Sequence, residues 1–386
     1  MTSLYIDSPA ELLALLPRMR AAPWVALDTE FMRERTFFPQ LCLLQVAGPD
    51  YVACIDPLRL DSLEPLFEVL LDPHIVKVLH AAHQDLEVIH HACGRLPAPV
   101  FDTQVAAALL GAGEQIGYAA LVQDLLGVTL DKSQSRTDWA RRPLHPAQIA
   151  YAADDVRYLR EVFARQQAEL ARRGRSDWLT EDCAALVDPA RYTEEPEQAW
   201  HRVKGHQNLR GVQLAVLRAL AAWREQRANT ANRPRRWIVA DDTLLELARR
   251  SPADLDALAR IGGVEAGLLQ RHGEHLLDLI ATARAEPRTL WPSVTPRRLP
   301  GGAQAAQLDA LQRVVQAQAG ELGIAPSLLA SRRDLERLVD GARDVPLLRG
   351  WRARVAGQAA LALLSAADAG PVAVPAPADG RPDQAS

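Results

Sequence analysis

The stretch Trp24-Val25-Ala26-Leu27-Asp28-Thr29-Glu30 decides the fold. An apolar run this short, ending in polar residues, reads as a buried strand. Side chains at i and i+2 of a strand share a face, so Asp28 and Glu30 point the same way at the end of that run. Two further apolar runs, residues 41–47 and 51–55, are split by Gly48-Pro49-Asp50, a hairpin pattern. Residues 75–79 and Val100-Phe101 add two shorter runs. Helical periodicity fills residues 12–19, 63–71, 86–92, 103–110, 118–126 and 146–167. A hairpin followed by strands alternating with helices predicts an α/β domain. Its mixed sheet has one antiparallel member and is flanked by helices. Carboxylates that follow a buried run are expected to emerge at a sheet edge, where α/β proteins place their sites.

Composition changes near Thr193-Glu194-Glu195-Pro196, and strand signals then nearly vanish. Residues 209–227, 242–249, 252–259 and 264–284 read as helices, with Asp242 and Ser251 placed to cap two of them. Trp-Pro-Ser-Val-Thr-Pro-Arg-Arg-Leu-Pro-Gly-Gly at 291–302 looks like a linker, and a second helical block covers 304–366. The two blocks are similar in size and in Leu/Ala/Arg content, which suggests a diverged duplication. The expected divisions are 1–195, 204–288, a linker at 289–303, a helical domain at 304–368 and a disordered tail at 369–386.

Hydrophobic residues make up 48% and charged residues 24% of the 386, an ordinary globular balance. The net charge of −4 argues against a protein that coats nucleic acid through bulk positive charge. None of the four cysteines forms a CxxC pair, so they read as reduced thiols. There is no signal-peptide pattern and no apolar stretch of about 18 residues. The expectation is a cytoplasmic protein without a membrane segment, acting as a monomer.

Two more carboxylates join the first pair as candidates. Asp85 follows the run at 75–79 and sits where it would either cap a helix starting at Leu86 or face a site at the strand's end. Asp155 lies in a helical pattern four residues after Tyr151, so the two share a helix face, while Asp154 points elsewhere. Any one of these has an ordinary structural explanation. As a set they point to chemistry. Four carboxylates in one site repel and raise each other's pKa. Two divalent cations about 4 Å apart would cancel that charge, and such a pair is the known arrangement for in-line displacement at phosphorus. Oxygen-only ligands favour Mg²⁺ or Mn²⁺. A tyrosine hydroxyl nearby can orient the attacking water or take its proton.

Weaker candidates surround this set. Asp102 either supports the site or caps the following helix. In the polar, basic segment 131–143, Lys132, Arg136, Arg141 and Arg142 are positioned to meet phosphates or simply to be solvated, and Trp139 to stack on a base or, preferably, to anchor the loop. Arg235-Arg236-Trp237 is either an RNA contact or a solvated helix edge. His80, His83, His90 and His91 lack the spacing of a zinc site.

Asp28-Thr29-Glu30-Phe31, His83-Gln84-Asp85-Leu86 and Tyr151-Ala152-Ala153-Asp154-Asp155 resemble the three motifs of the DEDD exonuclease superfamily, tyrosine subclass. Phe37-Phe38-Pro39-Gln40-Leu41, Lys132-Ser133-Gln134-Ser135-Arg136-Thr137-Asp138-Trp139 and Trp223-Arg224-Glu225 resemble bacterial ribonuclease D in particular. The resemblance runs from about Leu4 to at least Ala283. It implies an RNase H-like catalytic domain followed by two all-α HRDC-type domains, the second more diverged. It also implies that Asp28, Glu30 and Asp155 hold the metal nearest the water. Asp28 would bridge to a second metal, which Asp85 binds partly through water. Tyr151 would position the nucleophile. Apart from what the resemblance implies, Phe31, Lys132, Arg136 and Trp139 are candidate substrate contacts. The implied reaction releases 5′-mononucleotides from RNA 3′ ends, precursor tRNAs among them. The same motifs occur in DNA exonucleases, and matched RNA and DNA oligonucleotides would separate the two substrates. A non-catalytic RNA-binding module would be expected to lack a motif carboxylate, and all four are present.

Overall fold

The computed structural model describes residues 2–131, 133–193, 195–293 and 301–368. The chain divides into two compact units, residues 1–107 with 115–297, and residues 108–114 with 298–386.

In the first unit six strands form one sheet: β1 (Leu4–Ile6), β2 (Trp24–Met32), β3 (Gln40–Ala47), β4 (Val52–Ile55), β5 (Val76–Leu79) and β6 (Val100–Asp102). Their spatial order is β1-β4-β3-β2-β5-β6. β3 runs antiparallel to both its neighbours, β2 and β4, and every other pairing is parallel. The single antiparallel member is therefore the first arm of the hairpin. β1, three residues long, carries too little periodicity to be read from sequence.

The expectation for β2 is corrected in two respects. Asp28 and Glu30 lie inside a nine-residue strand, not at its end, and β2 is central in the sheet, not at an edge. Backbone pairing with β3, Asp28 opposite Gln45 and Thr29 opposite Leu44, carries the strand past its apolar half, because ladder hydrogen bonds do not depend on the side chain.

The two faces of β2 have different fates. Val25 and Leu27 point into an apolar cluster with α1 (Pro9–Ala21), α2 (Glu64–Leu70) and α3 (His83–Cys93), contributed by Leu12, Leu16, Phe67, Leu86 and Ile89. The opposite face carries Asp28 and Glu30. There α4 (Thr103–Leu109) and α5 (Tyr118–Leu126) precede α6 (Pro146–Arg157), and α6 packs across β2, β3 and β4. Ala152 and Ala153 of α6 are fully buried, and these small side chains let the helix approach the sheet closely. Helices α7 (Leu159–Arg172) and α8 (Ser176–Ala184) complete this side.

The same unit continues into α9 (Val212–Ala231), α10 (Arg235–Ile238), α11 (Asp241–Arg250), α12 (Leu255–Ala259) and α13 (Ala266–Ala285) around a core of Leu217, Leu220, Leu244, Leu247, Leu276 and Ile280. Buried Arg224 pairs with Asp241 at 2.6 Å, and buried Glu225 receives Arg235 at 2.6 Å and Arg202 at 3.0 Å. Neither helix cap expected from sequence holds. Asp242 lies within the first turn of α11, where Ala240 occupies the N-cap. Ser251 ends α11 in the left-handed region at φ 43°, its N–H bonded to Leu247 O at 2.8 Å, and Asp254 caps α12 instead.

The second unit contains α14 (Gly302–Leu322) and α15 (Arg332–Val339), followed by α16 (Gly350–Arg352), a π-helical turn at Ala353–Gly357 and α17 (Gln358–Asp368). Its core includes Leu311, Val315, Leu338 and Trp351, all buried. The expected tail at 369–386 and most of the linker, 294–300, lie outside the described residues. Among the described residues no helix is long and apolar enough to cross a membrane.

Candidate active site

The carboxylates of Asp28, Glu30 and Asp155 each offer an oxygen lying within 4.8 Å of those of the other two. β2 supplies the first two from one face, and α6 lays the third across them. The helix is fixed at its start by a capping box: His145 Nδ1 accepts from Ala147 N, and the Gln148 side chain accepts from His145 N at 2.8 Å.

Asp85 is held differently. It sits in the first turn of α3, which begins at His83, so it is not the cap of a helix starting at Leu86. Its Oδ1 accepts from Thr29 Oγ1 at 2.6 Å and from Thr29 N at 3.0 Å. Thr29, between the two carboxylates of β2, thus ties the second motif to the first. Asp102 caps the following helix, as one of its two readings had it, and also binds the turn before α3. It accepts from Gln104 N at 2.8 Å, starting α4, and from Ala81 N at 3.1 Å and Ala82 N at 2.8 Å. Ala81 is a non-glycine residue at φ 55°, a costly conformation, and the Asp102 carboxylate pins the turn that feeds α3.

The charge in this group is uncompensated. Burial pushes Asp28 well above the usual carboxylate range, and Asp85, Asp155 and Glu30 push it further. Glu30 is raised to about 8 by burial, then by Asp155 and Asp85. Asp155 is raised to about 7 by burial, Asp154 and Asp85. Asp85 is also raised to about 7, burial outweighing the Thr29 hydrogen bonds that oppose it. A cluster of oxygen donors that cannot all ionise without added positive charge suits a hard divalent cation. Tyr151 is half-buried, and its hydroxyl pKa is raised by burial and by Asp155, Glu30 and Asp28. At neutral pH it is therefore a hydrogen-bond donor beside the carboxylates.

Several sequence candidates fall away. Trp139 is 2% exposed and packs beside Tyr151 at 6.1 Å between ring centroids, so it anchors the loop and offers no face to a base. Phe31 is half-buried against the α1–α3 core, on the face of β2 away from the carboxylates. Arg142 is consumed by Asp56, at 2.5 and 2.7 Å, and by the carbonyls of Cys42 and Trp139. Arg136 and Arg141 are exposed, and Lys132 lies outside the described residues. Arg235 is bound to Glu225, whereas Trp237 is 53% exposed.

Sequence reasoning missed two neighbours of the site. Tyr118, half-buried, donates to Asp154 O at 3.0 Å and steadies α6. Gln45, fully buried opposite Asp28 on β3, has no hydrogen-bond partner for either amide atom among the described residues. Both sit inside apolar-looking segments, and only a buried polar side chain lacking an evident partner would have marked them.

Comparison with known proteins fits this geometry. Residues 4–171 match the family model described as a 3′–5′ exonuclease, and residues 213–280 match that of the HRDC domain. The chain is 45% identical over 361 residues to a ribonuclease D of Gluconacetobacter diazotrophicus, covering 93% of this chain and 92% of that protein. It is 41% identical over 369 residues to a ribonuclease D of Pseudomonas paraeruginosa, covering 94% and 98%. Among solved structures it is similar to Escherichia coli RNase D, described as an exoribonuclease involved in structured RNA processing. That similarity has a TM-score of 0.84 and 35% identity, and covers 95% of this chain and 99% of the other.

Proposed function

The chain belongs to the ribonuclease D family of metal-dependent 3′–5′ exoribonucleases, and from that premise we propose how its residues divide the work. Asp28, Glu30 and Asp155 hold one divalent cation. Asp28 and Asp85 would hold a second. Mg²⁺ or Mn²⁺ suits these oxygen ligands. Bound cations supply the positive charge the carboxylates lack and stabilise negative charge developing on the phosphate oxygens.

The remaining work falls to the protein. Tyr151, protonated at neutral pH, donates a hydrogen bond that orients the attacking water toward phosphorus. Thr29 fixes the Asp85 carboxylate, so that its unbonded oxygen is pre-aimed. Asp102 keeps the turn before α3 in place, and Trp139 supports Tyr151 from behind. The leaving 3′ oxygen departs on the RNA and the 5′-mononucleotide is released. The proposed substrates are the 3′ ends of precursor tRNAs and other stable RNAs. Residues 1–195 form the exonuclease domain and 204–288 the first HRDC domain. After a linker at 289–303, residues 304–368 form a second, diverged HRDC-type domain. The enzyme acts in the cytoplasm as a monomer.

The observation that carries this reading is the approach of the Asp28, Glu30 and Asp155 oxygens to within 4.8 Å. The test is digestion of a 5′-labelled precursor tRNA with Mg²⁺, with Mn²⁺ and with chelator. Stepwise shortening from the 3′ end is expected only with metal. Unchanged shortening by an Asp28→Asn protein, or in excess chelator, would sink it.

A further inference from the structure

Beyond the carboxylates, the first unit has a second concavity that the proposed chemistry does not use. A cavity of about 300 Å³ opens where the loop before β3 meets α3 and α9, lined among others by Arg33, Phe38, His90, His91, Tyr192 and Asn229. That is within the range of small-molecule sites, roughly 300–1,000 Å³. Its walls are aromatic. Phe38 and His91 stack with centroids 4.0 Å apart and planes 10° from parallel, and Tyr192 lies 6.0 Å from the His90 ring. His91 is exposed, so the stack has an open end. His90 Nδ1 is buried and has no hydrogen-bond partner among the described residues.

The loop that presents Phe38 is held rigidly. Asn232, which ends α9 at φ 46°, accepts from the backbone N–H of both Phe37 and Phe38 at 3.1 Å. The Arg235 guanidinium lies 4.5 Å over the Phe37 ring. Arg33 is braced by Glu87 at 2.7 Å and donates to Phe37 O at 3.0 Å.

The position matters as much as the lining. His91 is six residues beyond Asp85 on α3, about 9 Å along the helix axis. Arg33 is three residues beyond Glu30, about 10 Å along an extended chain. Stacked nucleotides rise about 3.4 Å each, so the cavity lies on the scale of two or three nucleotides from the carboxylates.

We propose that this cavity is a nucleobase subsite. In it, a base two or three nucleotides upstream of the bond being cut stacks on exposed His91, and its polar edge meets the exposed Asn229 amide. The site rests on the exonuclease reading above. An aromatic stack is tolerant of base identity, which suits an enzyme that must translocate along any sequence. Because α9 supplies Asn229 and Asn232, the first helical domain takes part in gripping the substrate without touching the reacting phosphate.

The test compares full-length wild type with His91→Ala and His91→Phe on oligoadenylates of two and six nucleotides, with Mg²⁺. For the hexanucleotide, His91→Ala is expected to raise KM about 10-fold with kcat within about twofold, and His91→Phe to restore the wild-type KM. The dinucleotide, too short to reach the cavity, should be cut equally by all three. With the unaltered protein, a single abasic nucleotide third from the 3′ end of the hexamer should reproduce the KM rise, and should add nothing to His91→Ala. The proposal is overturned if His91→Ala impairs both lengths alike, or if abasic residues at the second to fourth positions leave the wild-type KM unchanged. The abasic arm decides even if the alanine variant folds poorly. Failure of wild type to hydrolyse either oligonucleotide would count against the exonuclease reading, not against the subsite.

Discussion

Asp28 and Asp56 flank the same sheet, one within β2 and the other just past β4, and their surroundings drive their carboxyls in opposite directions. Asp56 accepts from Arg142, from the Tyr5 hydroxyl at 2.5 Å and from Leu58 N at 3.0 Å, and its pKa is lowered although burial alone would raise it. Asp28 is half-buried among three other carboxylates, and its pKa is raised. The first is a finished structural joint, because its positive partner is part of the chain. The second is left incomplete, since the chain brings negative charge together and, among the described residues, sets no cation against it. A buried acid with its own arginine belongs to the fold. One surrounded by acids belongs to chemistry.

The largest expected effects separate the two directly. Asp28→Asn should lower the rate of RNA trimming by about 10³-fold or more, since it removes a ligand from a site worth several kcal/mol of transition-state stabilisation. The same change should raise the melting temperature of the metal-free protein, because one of four repelling charges is gone. A fall in both quantities would erase the contrast. Arg142→Met should do the reverse. It strands Asp56 without its ion pair, at a cost of about 3–5 kcal/mol in a urea titration, while the correctly folded fraction keeps its turnover.

The pair should also part company with pH. Glu30, Asp85 and Asp155 have folded pKa values of about 8, 7 and 7, above their unfolded values near 4. The metal-free protein therefore binds more protons folded than unfolded between about pH 4 and 8, and loses stability as pH rises through that window. Asp56, with a lowered pKa, contributes the opposite slope, its stabilisation lost only as pH falls below the usual carboxylate range. In chelator the melting temperature should fall from pH 6 to pH 8. Mg²⁺ should recover more at pH 8, where the cluster is ionised, than at pH 6. A melting temperature flat across that range in chelator would mean the carboxylates do not repel as their positions require.

These contrasts bear on what the chain reveals before it folds. Asp28, Glu30, Tyr151 and Asp155 were legible because their spacings are local: two apart on a strand, four apart on a helix. Asp85 was legible as a candidate but not in its role, since its hydrogen bonds run to Thr29, 56 residues away. The Asp56–Arg142–Tyr5 joint was not legible at all. Three ordinary residues separated by 51 and 86 positions form no pattern until the sheet closes. Arg142 accordingly passed for a phosphate contact. The mixed sheet with one antiparallel member was readable from the hairpin and the alternation, but the order of the strands and the length of β2 were not, because backbone pairing carries β2 through residues whose side chains give no strand signal. The misplaced caps have a local cause. Ser251, which resembles a helix start, closes the preceding helix because its backbone enters the left-handed region.

The smallest effect concerns Tyr151, which tests whether the neighbours of the carboxylates act through position or through proton transfer. In the metal-free protein burial and Asp155, Glu30 and Asp28 raise its hydroxyl pKa, so at neutral pH it is a neutral phenol that can donate a hydrogen bond and is not poised as a base. Tyr151→Phe keeps the ring against Trp139 and removes only the hydrogen bond. The expected loss is about 10- to 100-fold in kcat, with KM unchanged and the pH–rate profile of wild-type shape. A general base at this position would instead shift the rising limb of that profile when removed. That outcome would make Tyr151 a participant in the proton balance and would extend the reacting group beyond the four carboxylates.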